Sequence, residues 1–589
     1  MARSVLTRPK VALSQDRSAA DCSFLGNFHT HAGLLDMVMC EPCVAGTKGV
    51  INRKTFTRTS QVLFPAFIGI KEYYDFFKVP IRYLWSFWND WKVNINDINT
   101  SRGSQVDSSG NFTLSLPSAA PRVDFKGLYS IFEQSVPETL SWTTRLNNAM
   151  RLLYRCGYVF RSSSDANSNT LNLFKAAAYQ KVYYDHYRNT TYESINQFAY
   201  NFDWLYAGGI DGSTRNGQLN IAQQADYSVI TEILSMHYVN WNNDYFHNIY
   251  PSLNYTVSGP TGLDWSIPSN IVNAVSTPSY TQFGVDNFVN SVNGNIGVSK
   301  NNYSAGSQGS ISLQTLRAAF ALDKLMRASA YTPKHVREQF KARFGVDVGD
   351  KVSFESERIG SYVSDVSIGE VTQVVNTLGA GQSDLGAVGG KGVGAADFEN
   401  DLHFYCEEDS LIVGIHYFIP TAMYDKVQDE WSQKLYREDF FQPEFQNLGL
   451  RPVVSKNLQH PSTWTLTSGG ANNILGYTVP NELYKIGKNE NFMMFNKYYS
   501  YLKYDSQNNK YQYSSLNVSP LSSFAIHVNE RKLLITSLTA DYFKVNPSDM
   551  DTIFAQAFDG TPSSDQFFGC YRIKFAKVHP MDVHGQPSL

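Results

Sequence analysis

At 589 residues the chain exceeds the usual size of one compact domain, so it holds either several domains or one domain with large excursions. Aromatics reach 14% while charged residues are 17%, against an average of about 25% charged, the balance of a chain with much contact surface or a large Tyr-rich β core. A net charge of -3 and a pI near 6.5 argue against a dedicated basic nucleic-acid-binding domain, and no apolar run approaches the ~20 residues of a membrane span or forms the core of a signal peptide.

In chain order, the basic residues of the N-terminus, Arg3, Arg8, Lys10 and Arg17, read either as an inward arm that meets phosphate or as an ordinary polar terminus. The first hundred residues then read as strands and turns, with Ala32 to Val44 and Gln61 to Val79 rich in β-branched or aromatic residues. Leu146, Met150 and Leu153 recur at helical spacing, and Gly157 supplies a stop. A second helix is expected over Leu171 to Arg188. From about 206 to 309 the sequence is polar and lacks period, as in Asn240-Trp241-Asn242-Asn243, and so reads as a long functional or disordered loop. Helical order returns from Ser312. Thr332 as N-cap, Pro333 as first residue and Gly345 as stop then frame a further helix with Val336 and Phe340 inward. The segment 378–396 is glycine-rich and reads as a flexible loop. Beyond it, Leu411 to Ile419 is a continuous apolar run suited to burial on both faces, Leu533 to Val545 reads as another strand, and Tyr571, Ile573 and Phe575 alternate with Arg572 and Lys574.

Chemical motifs are sparse. Six scattered cysteines do not make a disulfide scaffold, and reduced thiols suit them best. Cys40-Glu41-Pro42-Cys43 is a lone pair with no second pair at ligand spacing, so neither zinc nor redox chemistry is favoured. Gly389-Gly390-Lys391-Gly392 lacks the Ser or Thr of a phosphate loop. His29-Thr30-His31 puts two imidazoles on one strand face, which with a distant Glu and His would make a cupin-like metal site; without the Gly-rich frame of such sites, hydrogen-bonded histidines are the commoner reading. Glu407-Glu408-Asp409 alternate faces if extended, and a solvated turn explains them better than calcium or acid-base chemistry. No catalytic residue, cofactor site or metal site is assigned.

Strands at both ends around a helical, loop-rich middle imply a sheet completed by distant segments. The expected fold is mainly β: a single eight-stranded antiparallel jelly roll, its strands mainly within 25–100 and 400–589, with helical insertions at 140–190 and 310–345. A function is suggested by resemblance. Tyr73-Tyr74-Asp75-Phe76-Phe77-Lys78-Val79-Pro80 leading into Arg82-Tyr83-Leu84-Trp85 resembles a stretch of the major capsid proteins of the Microviridae, small tailless bacteriophages with single-stranded DNA. Ala178 to Arg188, Leu316-Arg317-Ala318-Ala319, Phe344-Gly345-Val346, Tyr436-Arg437-Glu438-Asp439-Phe440, Pro443-Glu444-Phe445, Leu448-Gly449 and Gly476-Tyr477 follow in the family's order. Gly585-Gln586-Pro587-Ser588-Leu589 closes the chain with Ser588 in place of the usual Gly.

The resemblance implies a non-enzymatic protein that self-assembles into an icosahedral shell around circular single-stranded DNA, with the 206–309 excursion projecting outward. It also implies assembly in the bacterial cytoplasm without membrane insertion. The partners it implies are further copies of the chain, the packaged DNA, a pilot protein that delivers DNA, a small basic DNA-packing protein, a scaffold and a host cell-surface receptor. The competing expectation is a carbohydrate-binding or carbohydrate-active β-sandwich, because exposed aromatics and Asn-rich loops also suit sugars. A Tyr-rich loop touching a host glycan would partly unite the two.

Overall fold

In the computed structural model the described residues are 17–62, 69–93, 119–124, 151–158, 170–206, 217–219, 229–251 except 231, 335–372, 388–425, 429–445, 450–454, 474–491, 540–545 and 565–581, with a few isolated positions. The chain divides into two units, one formed by 1–251 with 348–589 and the other by 252–347.

The first unit is built on ten strands: β1 (Ser18–Asp21), β2 (Phe24–Thr30), β3 (Asp36–Cys43), β4 (Lys48–Val62), β5 (Ile70–Pro80), β6 (Glu357–Thr372), β7 (Val388–Ala396), β8 (Leu402–Tyr405), β9 (Ser410–Pro420) and β10 (Phe567–His579). Eight of them run in the hydrogen-bonded order β1-β10-β4-β7-β6-β5-β9-β3; β2 adds to β10 and β8 to β4. All neighbours on this path are antiparallel. One edge of β10 is taken in turn by β2, at 567–573, and by β1, at 576–579. The long strand β6 turns the corner, pairing with β5 through its first part and with β7 through its last. The curled antiparallel sheet is a jelly-roll sandwich.

Aromatic rings fill the space between the layers. Phe418 of β9 stacks on Phe567 of β10 at 4.1 Å, Phe28 of β2 meets the His416 ring at 4.5 Å, and Tyr74 of β5 faces Tyr571 of β10 at 6.5 Å. Inside this apolar core sits a polar knot. Glu72 accepts from Thr57 at 2.9 Å and Tyr74 at 3.2 Å, and pairs with His416 Nε2 at 2.9 Å, while Arg53 lies 5.3 Å from both the Tyr74 and Tyr362 rings. Burial alone would raise the Glu72 pKa, but the His416 and Thr57 hydrogen bonds and the Arg53 charge outweigh it and hold it below the ordinary value.

The expected double burial of Leu411 to Ile419 is met: every residue of β9 is buried. Its Ile412, Gly414, His416 and Phe418 alternate with Leu411, Val413, Ile415 and Tyr417, and the helix α1 (Phe174–Val182) packs on β5 and β9. Ala176, Ala177 and Ala178 let the helix come close, and its buried Gln180 and Lys181 have partners: Gln180 Nε2 donates to Ile233 O at 2.9 Å and Ser235 O at 2.7 Å, and Lys181 pairs with Asp185 at 2.8 Å. A π-helical turn, Tyr183–Tyr187, ends it where Arg188 N donates to Tyr183 O. Gly157 takes φ +85° after the helical residues 151–155, as the stop reading required. β10 keeps the expected alternation, with Tyr571, Ile573 and Phe575 buried.

Four expectations are corrected. Segment 378–396 is not all loop: Val388–Ala396 is the strand β7, paired on both sides. Its glycines are packing requirements, since a Cβ on Gly392 would lie 2.4 Å from Thr59 and one on Gly394 2.9 Å from Val366. Residues 229–251, inside the polar excursion, bury Ile233, Leu234, Met236, Val239 and Trp241 in the main core. The end of the strand expected over Leu533 to Val545 is a 3-10 turn, Ala540–Phe543, with 533–539 outside the described residues. In the second unit, helix α2 (Val336–Phe344) begins after His335 rather than after Thr332. Val336 and Phe340 are exposed rather than inward, while Gly345 ends the helix at φ +70°. The helical motif at 316–319, Leu448-Gly449 and the closing 585–589 lie outside the described residues.

Candidate assembly surface and nucleic-acid interface

Of the four predicted phosphate-contacting residues, Arg3, Arg8 and Lys10 lie outside the described residues. Arg17 is exposed just before β1, its Nη1 donating to Gly46 O at 3.4 Å. It lies beside β10, whose outer face carries a basic surface that sequence reading did not single out. Strand pairing sets Leu25, Arg572 and Lys54 in one row across β2, β10 and β4, and His29, Phe568 and Arg58 in another. Period-2 alternation turns Lys48, Lys54, Phe56, Arg58 and Arg572 outward from strands whose other residues fill the core. Asp397 pairs with Lys54 at 3.2 Å and Asp401 with Lys574 at 3.0 Å, while Arg58 lies 5.0 Å from the Phe56 ring centroid. Cations interleaved with aromatic and aliphatic side chains on a sheet face can hold phosphates and offer bases an apolar platform.

A second surface is apolar. Between Glu430 and Phe445 the chain makes three 3-10 turns, Trp431–Gln433, Arg437–Asp439 and Pro443–Phe445. Their base is anchored: buried Glu430 pairs with Arg451 and accepts from the Tyr245 hydroxyl. At the tip, Asp439 accepts from Tyr436 N at 2.9 Å and Leu435 N at 3.1 Å, which lowers its pKa. This local frame holds Leu435 77% exposed and Tyr436 70% exposed, beside Trp431, Phe440 and Phe441. An exposed apolar group of this size, on a hydrogen-bonded support, is what a protein surface keeps for a partner.

The remaining predicted groups are structural. His29 and His31 converge on Asp565, the latter at 3.3 Å, but the cation between these residues is a guanidinium: Arg151 Nη2 donates to both Asp565 oxygens at 3.0 and 2.9 Å and its Nη1 to His29 O at 3.0 Å. Burial pushes the Asp565 carboxyl up, but His29, His31 and Arg151 hold it well below the usual range; burial likewise lowers the His31 pKa against the pull of Asp565. One turn on, Arg155 forks onto buried Asp36 at 3.1 and 2.6 Å. Glu407, Glu408 and Asp409 pair with Lys351, Arg82 and Lys92 respectively, so the acidic run is a strap of ion pairs. Cys40 and Cys43 are buried free thiols; burial pushes Cys40 up to about 12, while a hydrogen bond with Cys406 lowers Cys43. Among the described residues no three His, Cys, Asp or Glu side chains form a group able to hold a metal, and no helix is long and apolar enough to cross a membrane. Asp36 in an apolar strand and the Arg151/Arg155 spacing were the available signals for the buried pairs.

A family model described as Capsid protein (F protein) matches residues 159–589. No curated protein matches the chain.

Proposed function

Since this chain belongs to the family of Microviridae major capsid proteins and is a structural phage capsid protein of the virion, we propose that it self-assembles into a small icosahedral shell around circular single-stranded DNA. The observation that supports assembly best is the anchored apolar tip at Trp431, Leu435, Tyr436, Phe440 and Phe441. Repeated heterologous contacts close a cage only when each interface angle is fixed, and a patch held by Glu430 and Asp439 supplies a fixed angle. The basic rows on β4 and β10, with Arg17 and the N-terminal Arg3, Arg8 and Lys10, are the surface proposed to face the genome. A near-neutral shell protein leaves most phosphate charge to counterions and to a small basic packing protein. The pilot protein, the host receptor, cytoplasmic assembly and the outward projection of residues 252–309, the part of the excursion beyond the core-packed 229–251, belong to the same proposal.

The test is electron microscopy of particles from cells expressing the capsid operon, with nuclease-protected DNA assayed in the same fractions. Uniform small icosahedra dominated by this 66.3 kDa chain are expected, and Leu435→Asp with Tyr436→Asp should leave folded subunits that do not assemble. Small oligomers from the native chain in the presence of the partner genes would refute the reading and favour the sugar-binding one.

A further inference from the structure

Two chain reversals meet at one end of the sandwich. Residues 44–47 carry β3 into β4, and residues 406–409 carry β8 into β9. Because β3 pairs with β9 and β4 with β8, each reversal passes from one layer to the other. They are bonded to each other directly: Gly46 N donates to Cys406 O at 2.7 Å, Cys406 N to Thr47 O at 2.8 Å and Ala45 N to Asp409 Oδ1 at 3.0 Å. Cys43 ends β3 beside the first reversal and Cys406 opens the second, and their side chains share a hydrogen bond.

The two sulfurs differ. The Cys406 thiol donates to Cys43 Sγ, which lowers the Cys43 pKa; burial opposes this and the Lys577 charge adds to it. The same bond, together with burial, raises Cys406. A sulfur inclined to the thiolate and touching a second thiol is the arrangement of an attacking and a resolving cysteine. Cys40 and Cys156 lack it. Burial pushes Cys40 up to about 12 and raises Cys156 well above its ordinary value, so both stay protonated and inert. Cys43 is 4% exposed and Cys406 fully buried, a depth that admits a small oxidant and hinders bulky thiols.

The geometry points to a modification site: Cys43 and Cys406 close to a disulfide when the folded chain meets hydrogen peroxide. Cys43 Sγ attacks one peroxide oxygen, the O–O bond breaks, and hydroxide leaves and takes a proton to become water. Cys406 Sγ then attacks the sulfenic sulfur, the S–S bond forms, and the second oxygen departs as water. Two thiols and one peroxide thus give one disulfide and two waters. In a reducing cytosol the pair stays open, so the staple forms where peroxide outweighs thiol reductants. It ties the end of β3 to the link between β8 and β9, positions far apart in sequence, and so restricts the unfolded chain strongly. The inference goes beyond the shell reading and stands without it, because its test needs the folded chain and no particle.

The purified full-length chain, reduced and freed of reductant, is treated with dilute hydrogen peroxide, unfolded in the presence of N-ethylmaleimide, and digested without reductant. Tandem mass spectrometry should find the peptide bearing Cys406 joined to the one bearing Cys43, with the link on Cys43 and with Cys40 and Cys156 recovered as alkylated thiols. Recovery of Cys43 and Cys406 as alkylated thiols, oxidation of Cys43 to an unlinked acid, or a link between other cysteines would overturn the site. Urea unfolding supplies a second readout on the native sequence. Peroxide should lower the unfolding equilibrium constant roughly 30- to 1000-fold, reversibly with dithiothreitol. Cys406→Ser should remove that redox dependence, and a native chain equally stable before and after peroxide would overturn the staple.

Discussion

Replacing Asp565 by Ala tests the Arg151 junction most directly. The carboxylate is 4% exposed and Arg151 5% exposed, and the guanidinium donates to both carboxylate oxygens and to the backbone of β2, so it ties the helical residues 151–155 to the start of β10. Asp565→Ala leaves a buried cation without its counter-ion and costs about 3–5 kcal/mol, far above the ~0.2–1 kcal/mol of an exposed pair. His31 loses its Asp565 contact as well, which places the cost toward the upper end. Replacing both partners, as Asp565→Leu with Arg151→Met, removes the stranded charge and should recover most of the loss. Urea unfolding of the dissociated subunit at neutral pH reads both, through midpoints at constant slope. A single-mutant loss below about 1 kcal/mol, or a double mutant worse than the single, would refute a desolvated, mutually dependent pair.

Acid should weaken the subunit in two stages. The His31 pKa lies below its ordinary value because the ring is buried, so the unfolded chain takes up that proton first and stability falls as pH drops below about 6.5. Glu72, Asp244 and Asp565 are also lowered, so their contributions, complete above about pH 4.5, are lost below it; a urea midpoint unchanged between about pH 7 and pH 5 would contradict the first stage, and one unchanged between about pH 5 and pH 2.5 the second. Two left-handed glycines separate strain from packing. At Gly157 (φ +85°) an added Cβ meets nothing within 4 Å, whereas at Gly33 (φ +80°) it lies 2.6 Å from Val545 O. Gly157→Ala should cost about 1–2 kcal/mol and Gly33→Ala about 1–3 kcal/mol more, with calorimetry as the check. On the basic face, Lys54→Gln and Arg572→Gln should each lower the slope of log affinity against log salt for single-stranded DNA by about 0.7, and unchanged slopes would remove these residues from the interface.

What the sequence made legible follows from what each segment needs for burial. Leu411 to Ile419 needs apolar residues on both faces and shows them, and β10, wet on one face, shows its alternation. β7 was hidden because its strand is dense with glycine: Gly392 and Gly394 have no side chains since Thr59 and Val366 occupy that space, and neither neighbour is visible from the local sequence. Residues 229–251 were hidden for the opposite reason. Their Asn and Ser residues satisfy backbone and side-chain hydrogen bonds around a few buried anchors such as Trp241, so polarity did not mean exposure. In α2 the helical spacing of Val336 and Phe340 puts them on one face as read, but spacing cannot tell a face turned to a core from one left exposed. The ordered blocks around Tyr73-Tyr74-Asp75-Phe76-Phe77 pointed to the family, whereas charge and composition alone left sugar binding open. The basic rows escaped because they are assembled by register from strands more than five hundred residues apart.

That register has a consequence for timing. β4 cannot pair with β10, nor β5 with β9, until the ribosome has made segments far downstream. At about 5–20 residues per second, β4 waits roughly half a minute to two minutes for β10. Through that interval the edge of β4 that β10 will take stays open, while its core-facing Thr55 and Thr57 already have their cross-layer partners Glu72 and Tyr74 in β5. The subunit is thus a late-closing fold, and the cell must shield a long nascent strand edge before a building block for the shell exists.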